Sequence, residues 1–352
     1  MTMPRIDPAK TKARATYKHA ATFYVLSVDP TGGRLYGGSD DSAIHVFDLA
    51  AEKKEPVARW TGHDNYVSAL ACVNRGSKRL VISGSYDRRL IWRDAGDGRP
   101  VRSVDAHQGW VRDLAVLPDG SRLVSAGDDM LVKIWETETG RLIRTLEGHA
   151  KRTPQGHVTA LYVVAVSPDG KYLASGDRIG EVLVWEADTG KLVQRFQVPV
   201  LYTYDPRQRK RSIGGIRSLA FSPDGKHLAV GGIGQVENVD GLSGPVHIEV
   251  WDWRKPQQRF AAGALGHKGI CNQLQFHPDG SWLLGAGGGG DNGFLAFWKT
   301  ETLADSSKDP KSPVPVHRIK TDGHIHRFWL NTAKNEVYTA GYRKLDIWSL
   351  LA

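Results

Sequence analysis

The stretch AHQGWVRDLAVLPDGSRLVSAGDDMLVKIW, Ala106 to Trp135, decides the fold. Val111 to Leu117 is apolar and alternating, the pattern of a half-buried strand. Pro118-Asp-Gly120 supplies the turn chemistry a hairpin needs, and Arg122 to Ala126 reads as a second strand. Gly127 to Asp129 makes a second turn and Leu131 to Trp135 a third strand; after Thr137 to Gly140, Arg141 to Leu146 reads as a fourth. Four short antiparallel strands make one small twisted sheet, and no helical periodicity of any length competes with them. A sheet this small cannot bury its faces alone.

The unit is copied along the chain. An aromatic ends a short apolar run at Phe47, Trp92, Trp135, Trp185, Trp251, Trp298 and Trp348, at intervals of 43 to 66 residues by subtraction. The Pro-x-Gly turn recurs at Pro30, Pro168, Pro223 and Pro278, while the second and seventh copies carry Asn74-Arg-Gly76 and Ala333-Lys-Asn335 instead. Gly-His pairs stand at Gly62-His63, Gly148-His149, Gly156-His157 and Gly266-His267. In these features, over nearly its whole length, the chain resembles the WD-repeat family. The resemblance implies a seven-bladed β-propeller around a central channel, and radial closure protects sheet edges that an open stack would expose.

Closure carries an expectation for the termini. The last repeat runs out of chain after its third strand, so its outer strand must come from elsewhere. Arg14 to Lys18 precede His19 as Val57 to Thr61 precede Gly62-His63. This N-terminal strand is therefore predicted to complete blade seven. Residues 1–12 read as a flexible basic tail and 13–352 as one propeller domain.

Net charge is +9, and it is local: residues 1–18 carry +4, 199–215 carry +3 and 149–157 carry +2. Such patches attract acidic proteins, nucleic acid or anionic surfaces. No apolar run is long enough to span a membrane and the N-terminus lacks the apolar core of a secretory signal. Cys72 and Cys271 lie in different repeats and make no disulfide framework, which points to a reducing, cytoplasmic setting.

His107, Ser125 and Asp129 beside Trp135 invite a catalytic reading, and His63, Ser83, Asp87 and Trp92 repeat it. An enzyme needs one triad with an accessible nucleophile. The resemblance instead implies structural tetrads, histidine joined to serine and aspartate and serine to tryptophan. They erode elsewhere: Gly37 at the serine position of blade one (where His19, Asp41 and Phe47 remain), Ile179 at the aspartate position of blade four, Ser212 at the histidine position of blade five, Arg343 near the aspartate position of blade seven. Blades two and three are expected to be the stiffest. Gly285 to Gly290 satisfies G-x-G-x-x-G, but a strand follows rather than a helix, so a mobile turn is expected instead of a dinucleotide site. His317, His324 and His326 lack a fourth ligand at fixed spacing and read as surface histidines. No catalytic residue, metal or cofactor is assigned.

Propellers of this family generally bind partners on the face formed by the interblade loops and the turns between second and third strands. Alignment of the repeats puts Thr22, Tyr66, Trp110, Ala160, Gly215, Ile270 and His324 there, one per blade, with Asp40, Tyr86, Asp128 and Arg178 from the turns. Tyr66, Tyr86 and Trp110 thus form an aromatic cluster flanked by Asp128 and Arg178, the residue types that dominate interfaces. Insertions at His149 to His157, Pro199 to Gly215 and Gly231 to Val246 fall on the same side. The second carries Arg207, Arg209, Lys210 and Arg211 after Tyr202 and Tyr204; it could meet an acidic peptide or nucleic acid, or be a solvated loop. Asp305 to Pro313 reads as a disordered polar linker. The expected function is a non-enzymatic scaffold for a protein or peptide partner, acidic partners included, acting as a monomeric propeller within a larger complex and away from membranes. An RNA- or DNA-associated subunit is the alternative, and an enzyme with a channel active site a third.

Overall fold

A computed structural model describes residues 6–351 apart from 32, 76–77, 207–210, 237–243, 290–291 and 305–314. Seven four-stranded antiparallel sheets stand in a ring. Blade three, built from Val111–Val116, Arg122–Gly127, Val132–Glu136 and Leu142–Leu146, follows the strands expected from its sequence. One apolar cluster fills each gap between neighbouring blades. Between blades three and four, for example, Val124, Ile134 and Leu146 meet Leu161, Leu173 and Trp185. Each sheet therefore buries both faces only because it has two neighbours, and this is why the repeat must close.

The closing strand is the N-terminal one. Lys12–Lys18 pairs antiparallel with Lys344–Ser349, making the outer edge of the sheet whose inner strands are Ile325–Asn331 and Glu336–Gly341. Tyr17 is fully buried against Phe47 and Tyr338, and Thr16 donates to Asp346 at 2.6 Å. Order begins before the boundary at residue 13: Ile6 is buried with Trp348 and Leu350, and the Asp7 amide donates to the Leu350 carbonyl at 3.2 Å. Residues 1–5 lie outside the described residues.

Two segments differ from the sequence reading. Gly285–Gly289 is no turn. It belongs to the strand Trp282–Gly289, paired with Asn292–Lys299. Its glycines answer crowding, since a Cβ on Gly287 would lie 1.9 Å from the Ile270 carbonyl oxygen. The insertion after blade four is a hairpin, Tyr202–Asp205 with Arg211–Gly214, pinned where Thr203 Oγ1 accepts from the Val236 amide at 3.0 Å.

Candidate functional site

The inner strand of every blade begins with the same irregularity. Its register slips within the first two residues, leaving Tyr24, Ser68, Arg112, Tyr162, Arg217, Asn272 and His326 each unmatched by the neighbouring strand. A bulge turns a side chain out of the ladder, and all seven line one depression at the channel mouth, with Tyr86 and Arg327. These residues sit two positions beyond the set the alignment selected. The alternation of a strand brings i and i+2 to the same side, so counting two further along each repeat would have found them.

The expected cluster is present and larger than the sequence indicated. Tyr66 and Trp110 are 40% and 43% exposed. Tyr86 stacks on Trp110 at 4.2 Å and 8°, Tyr66 lies 5.8 Å from Tyr86, and Tyr24 stacks on Tyr66 at 5.5 Å. His326 continues the row from blade seven, 4.9 Å from Tyr24 and 4.6 Å from His324. Arg112 extends it the other way: its guanidinium lies 4.7 Å from the Trp110 ring centre, 5.0 Å from that of Tyr86 and 5.3 Å from that of Tyr162. A belt of π faces and cations thus runs from blade seven through blade one to blade four.

Hydrogen bonds hold the belt rigid. Asp128 accepts both Nε and Nη2 of Arg112 at 2.7 Å, and Arg112 Nη1 donates to the Tyr86 hydroxyl at 2.9 Å. Arg178 Nε donates to the Tyr162 hydroxyl at 2.7 Å. Turn and interblade loop are tied in the same way around this side, Tyr86, Asp128 and Arg178 each donating a backbone N–H to the carbonyl of Tyr66, Trp110 and Ala160. Gly215 (φ +96°) lets the chain leaving the hairpin pass beneath; a Cβ there would lie 2.6 Å from Arg178 Cα and 2.9 Å from the Tyr162 ring. Below the mouth, Arg327 of blade seven reaches Asp113 of blade three at 3.3 Å, so an ion pair spans the channel. Burial holds the Asp113 carboxyl above its ordinary value, with Arg327 opposing.

Charge at the mouth follows from burial. His324 and His326 are half-buried at the mouth and are not basic: burial first, then nearby positive groups, hold them at about 4 and about 3. Burial opposes ionisation of the Tyr162 hydroxyl, but Arg217, Arg178 and Arg112 outweigh it and pull its pKa down.

Of the basic run, Arg207, Arg209 and Lys210 lie outside the described residues, and Arg211 is described only as backbone in the hairpin. Asp305 to Pro313 falls in the undescribed 305–314. The hairpin and the 149–157 loop touch: Tyr202 donates to Gln155, and Tyr204 lies 5.7 Å from His157.

The tetrads differ from their expected pattern. In blade three His107 Nδ1 meets Asp129 at 2.9 Å, Nε2 meets Ser125 at 2.7 Å, and Trp135 Nε1 donates to Ser125 at 2.9 Å. Blade two lacks the last bond. His63 joins Asp87 and Ser83, both at 2.8 Å, but Trp92 leaves the set and donates to the Thr137 carbonyl at 2.9 Å. Trp92 pairs with Ile82 where Trp135 pairs with Leu123, one register step apart, so its side chain takes the other face. Blade four, expected to be eroded, is complete: His149 meets Asp177 at 2.9 Å and Ser175 at 2.8 Å, and Trp185 donates to Ser175 at 3.1 Å. Its aspartate stands two residues before Ile179. Blades three and four, not two and three, carry whole tetrads. In blade one His45, not His19, bonds Asp41. His149, Asp177 and Glu181 bring ligand atoms within 4.8 Å, close enough for a metal ion. Ser175 and Asp177 occupy both ring nitrogens, and Arg195 pairs with Glu181 at 3.2 Å, so the trio reads as structural.

Seven closed blades bearing an aromatic and cationic mouth define a seven-bladed β-propeller. The family model described as "WD domain, G-beta repeat" matches residues 54–93, 98–136, 140–186, 208–235 and 256–299, more than half of the chain, which therefore belongs to the WD40 family. Its relatives include nuclear distribution protein PAC1 of Arthroderma otae, 38% identical over 123 residues, covering 32% of this chain and 26% of that protein. Nuclear distribution protein nudF of Emericella nidulans is 28% identical over 154 residues, covering 37% and 34%. A Denticleless protein homolog of Danio rerio is 30% identical over 135, covering 38% and 20%. The chain thus matches between 20% and 34% of these relatives' own lengths. No described helix is long and apolar enough to cross a membrane.

Proposed function

We propose that the chain is a non-enzymatic platform that docks a protein or peptide partner across the channel mouth, on Tyr66, Tyr86, Trp110, Asp128 and Arg178. The continuous ring stack from Tyr24 to Trp110 carries this reading. Four neighbouring aromatics, of which Tyr66 and Trp110 are 40% and 43% exposed, offer apolar area already held in place. A partner then meets anchors whose rotamers are fixed, so little ordering entropy opposes docking. Uncompensated guanidinium groups beside the stack favour an acidic partner. We further propose that the propeller acts as one copy within a larger intracellular complex.

Affinity capture from the native cell tests the reading by comparing wild type, Trp110→Ala, and a variant with the charges of 207–211 removed. Trp110→Ala, folded by its melting temperature, is expected to lose a partner that wild type holds even in high salt. Loss in the charge variant alone, relieved by nucleic-acid digestion, would support the nucleic-acid reading in its place. If both variants keep every partner, the docking surface lies elsewhere.

A further inference from the structure

Four arginines converge on the channel mouth, and only two are neutralised. Arg112 has Asp128 and Arg327 has Asp113. Among the described residues no carboxylate pairs with Arg178 or Arg217. Arg178 spends its Nε on the Tyr162 hydroxyl and points Nη1 at the Val158 carbonyl at 3.5 Å, which leaves Nη2 open. Arg217 lies over the same ring, its guanidinium carbon 3.7 Å from the centre, and gives Nη2 to the Gly214 carbonyl at 3.4 Å. Its Nε is buried with no hydrogen-bond partner among the described residues.

A guanidinium cannot relieve that cost by losing its proton, and a buried charge left alone is unfavourable. The neighbouring histidines are neutral near physiological pH and supply no counter-charge. Two positive charges therefore remain: Arg217 faces into a concave site where field lines concentrate, and Arg178 stands beside it at the Tyr162 hydroxyl.

We propose that Arg217 and Arg178, with Tyr162 between them, form a pocket for the phosphate of a phosphorylated side chain on the partner peptide. A phosphate monoester carries about −1.5 to −2 charges near neutrality, matching two open guanidinium groups where a carboxylate would satisfy one. Its three acceptor oxygens suit the forked donors that Arg217 and Arg178 still offer. The pocket adjoins the aromatic row through Arg112, so residues flanking the phosphate would lie on Tyr86 and Trp110. This inference rests on the docking face proposed above.

The test uses the full chain at physiological salt with three degenerate peptide libraries, identical except for a central phosphoserine, serine or glutamate. The phosphoserine library is expected to be retained at least tenfold better than the other two. Arg217→Gln should bring it down to the serine level, Arg178→Gln should weaken it, and Arg217→Lys should fall between. Inorganic phosphate should raise the melting temperature of wild type, but not of Arg217→Gln, relative to chloride at equal ionic strength. Arg217→Gln removes an unpaired charge and should not itself lower the melting temperature; if it does, Arg178→Gln provides the same comparison. Equal retention of the glutamate library, wild-type binding by both variants, or Arg217-dependent capture of a single-stranded oligonucleotide in preference to the peptides would each overturn the proposal. Should Trp110→Ala lose the cellular partner while Arg217→Gln keeps it, the docking face stands and the phosphate pocket falls.

Discussion

At the scale of single residues, the serine at the centre of a tetrad decides how much the set contributes. Ser125 is fully buried and meets both His107 and Trp135, whereas Ser83 meets His63 without a tryptophan. Ser125→Ala strands two buried ring nitrogens, at about 1–3 kcal/mol for each group left unsatisfied. Ser83→Ala strands one. Urea unfolding should rank Ser125→Ala and Ser175→Ala as clearly more costly than Ser83→Ala, and equal costs would show that the indole bonds contribute nothing. The channel-mouth histidines set an acid limit. Their folded pKa values of about 4 and about 3 lie below the ordinary 6.5, so the unfolded chain binds more protons in between. Stability present above pH 6.5 is then lost as pH falls toward the folded values. His149 works in the opposite sense: burial disfavours its charge, but Asp177 and Glu181 prevail and raise its pKa, so its contribution fades as pH rises. Replacing His324 and His326 together by Gln should remove up to about 2 kcal/mol per histidine of the loss between pH 7 and 5. Urea midpoints across that range check it, and an unchanged slope would refute it.

At the scale of strands, the seam between the termini is where the ring can open. Lys12–Lys18 adds a full antiparallel ladder and buries Tyr17, and Arg14 reaches Glu336 across it. Deleting residues 1–18 should lower the melting temperature far more than loss of an ordinary tail. Tyr17→Ala alone should cost about 3–5 kcal/mol, the range for emptying a buried aromatic site. A deletion variant that melts like wild type would mean the seam is dispensable. That seam was legible because the repeat left one strand missing at one end and one spare at the other. The tetrads were less so. Ser125 to Trp135 and Ser175 to Trp185 both span ten residues, but Ser83 to Trp92 spans nine. With the same turn, Ser83 opposite Ile91 as Ser125 is opposite Lys133, the odd residue flips the indole to the other face. Residue types gave the blade, and only the parity of the spacing reveals which bonds form. The bulges were hidden for a related reason: a slipped register leaves no mark in hydrophobic alternation, so Arg217 and Tyr162 read as ordinary strand residues.

At the scale of the whole molecule, neighbouring blades touch through apolar clusters, but few groups reach across the channel. Asp113 and Arg327 do, joining blades three and seven, which are far apart around the ring and 214 residues apart in sequence. Asp113 also accepts the Val164 amide at 3.1 Å, and Arg327 donates to the Asn272 carbonyl at 2.7 Å, so the pair braces blades four and six as well. Both side chains are largely buried, at 16% and 19% exposure. In such a place the attraction between the partners is offset by the cost of drying them, and removing one partner is worse than removing both. Asp113→Ala should therefore destabilise by about 3–5 kcal/mol. It would also leave a third uncompensated guanidinium below the mouth, beside Arg217 and Arg178. Asp113→Leu combined with Arg327→Met should recover much of that loss, because the double change leaves no charge behind. Denaturant unfolding of Asp113→Leu, Arg327→Met and the double gives the coupling directly. A double variant as unstable as the sum of the singles would mean that the pair does not act as a unit, and that the ring is held by its blade-to-blade clusters alone.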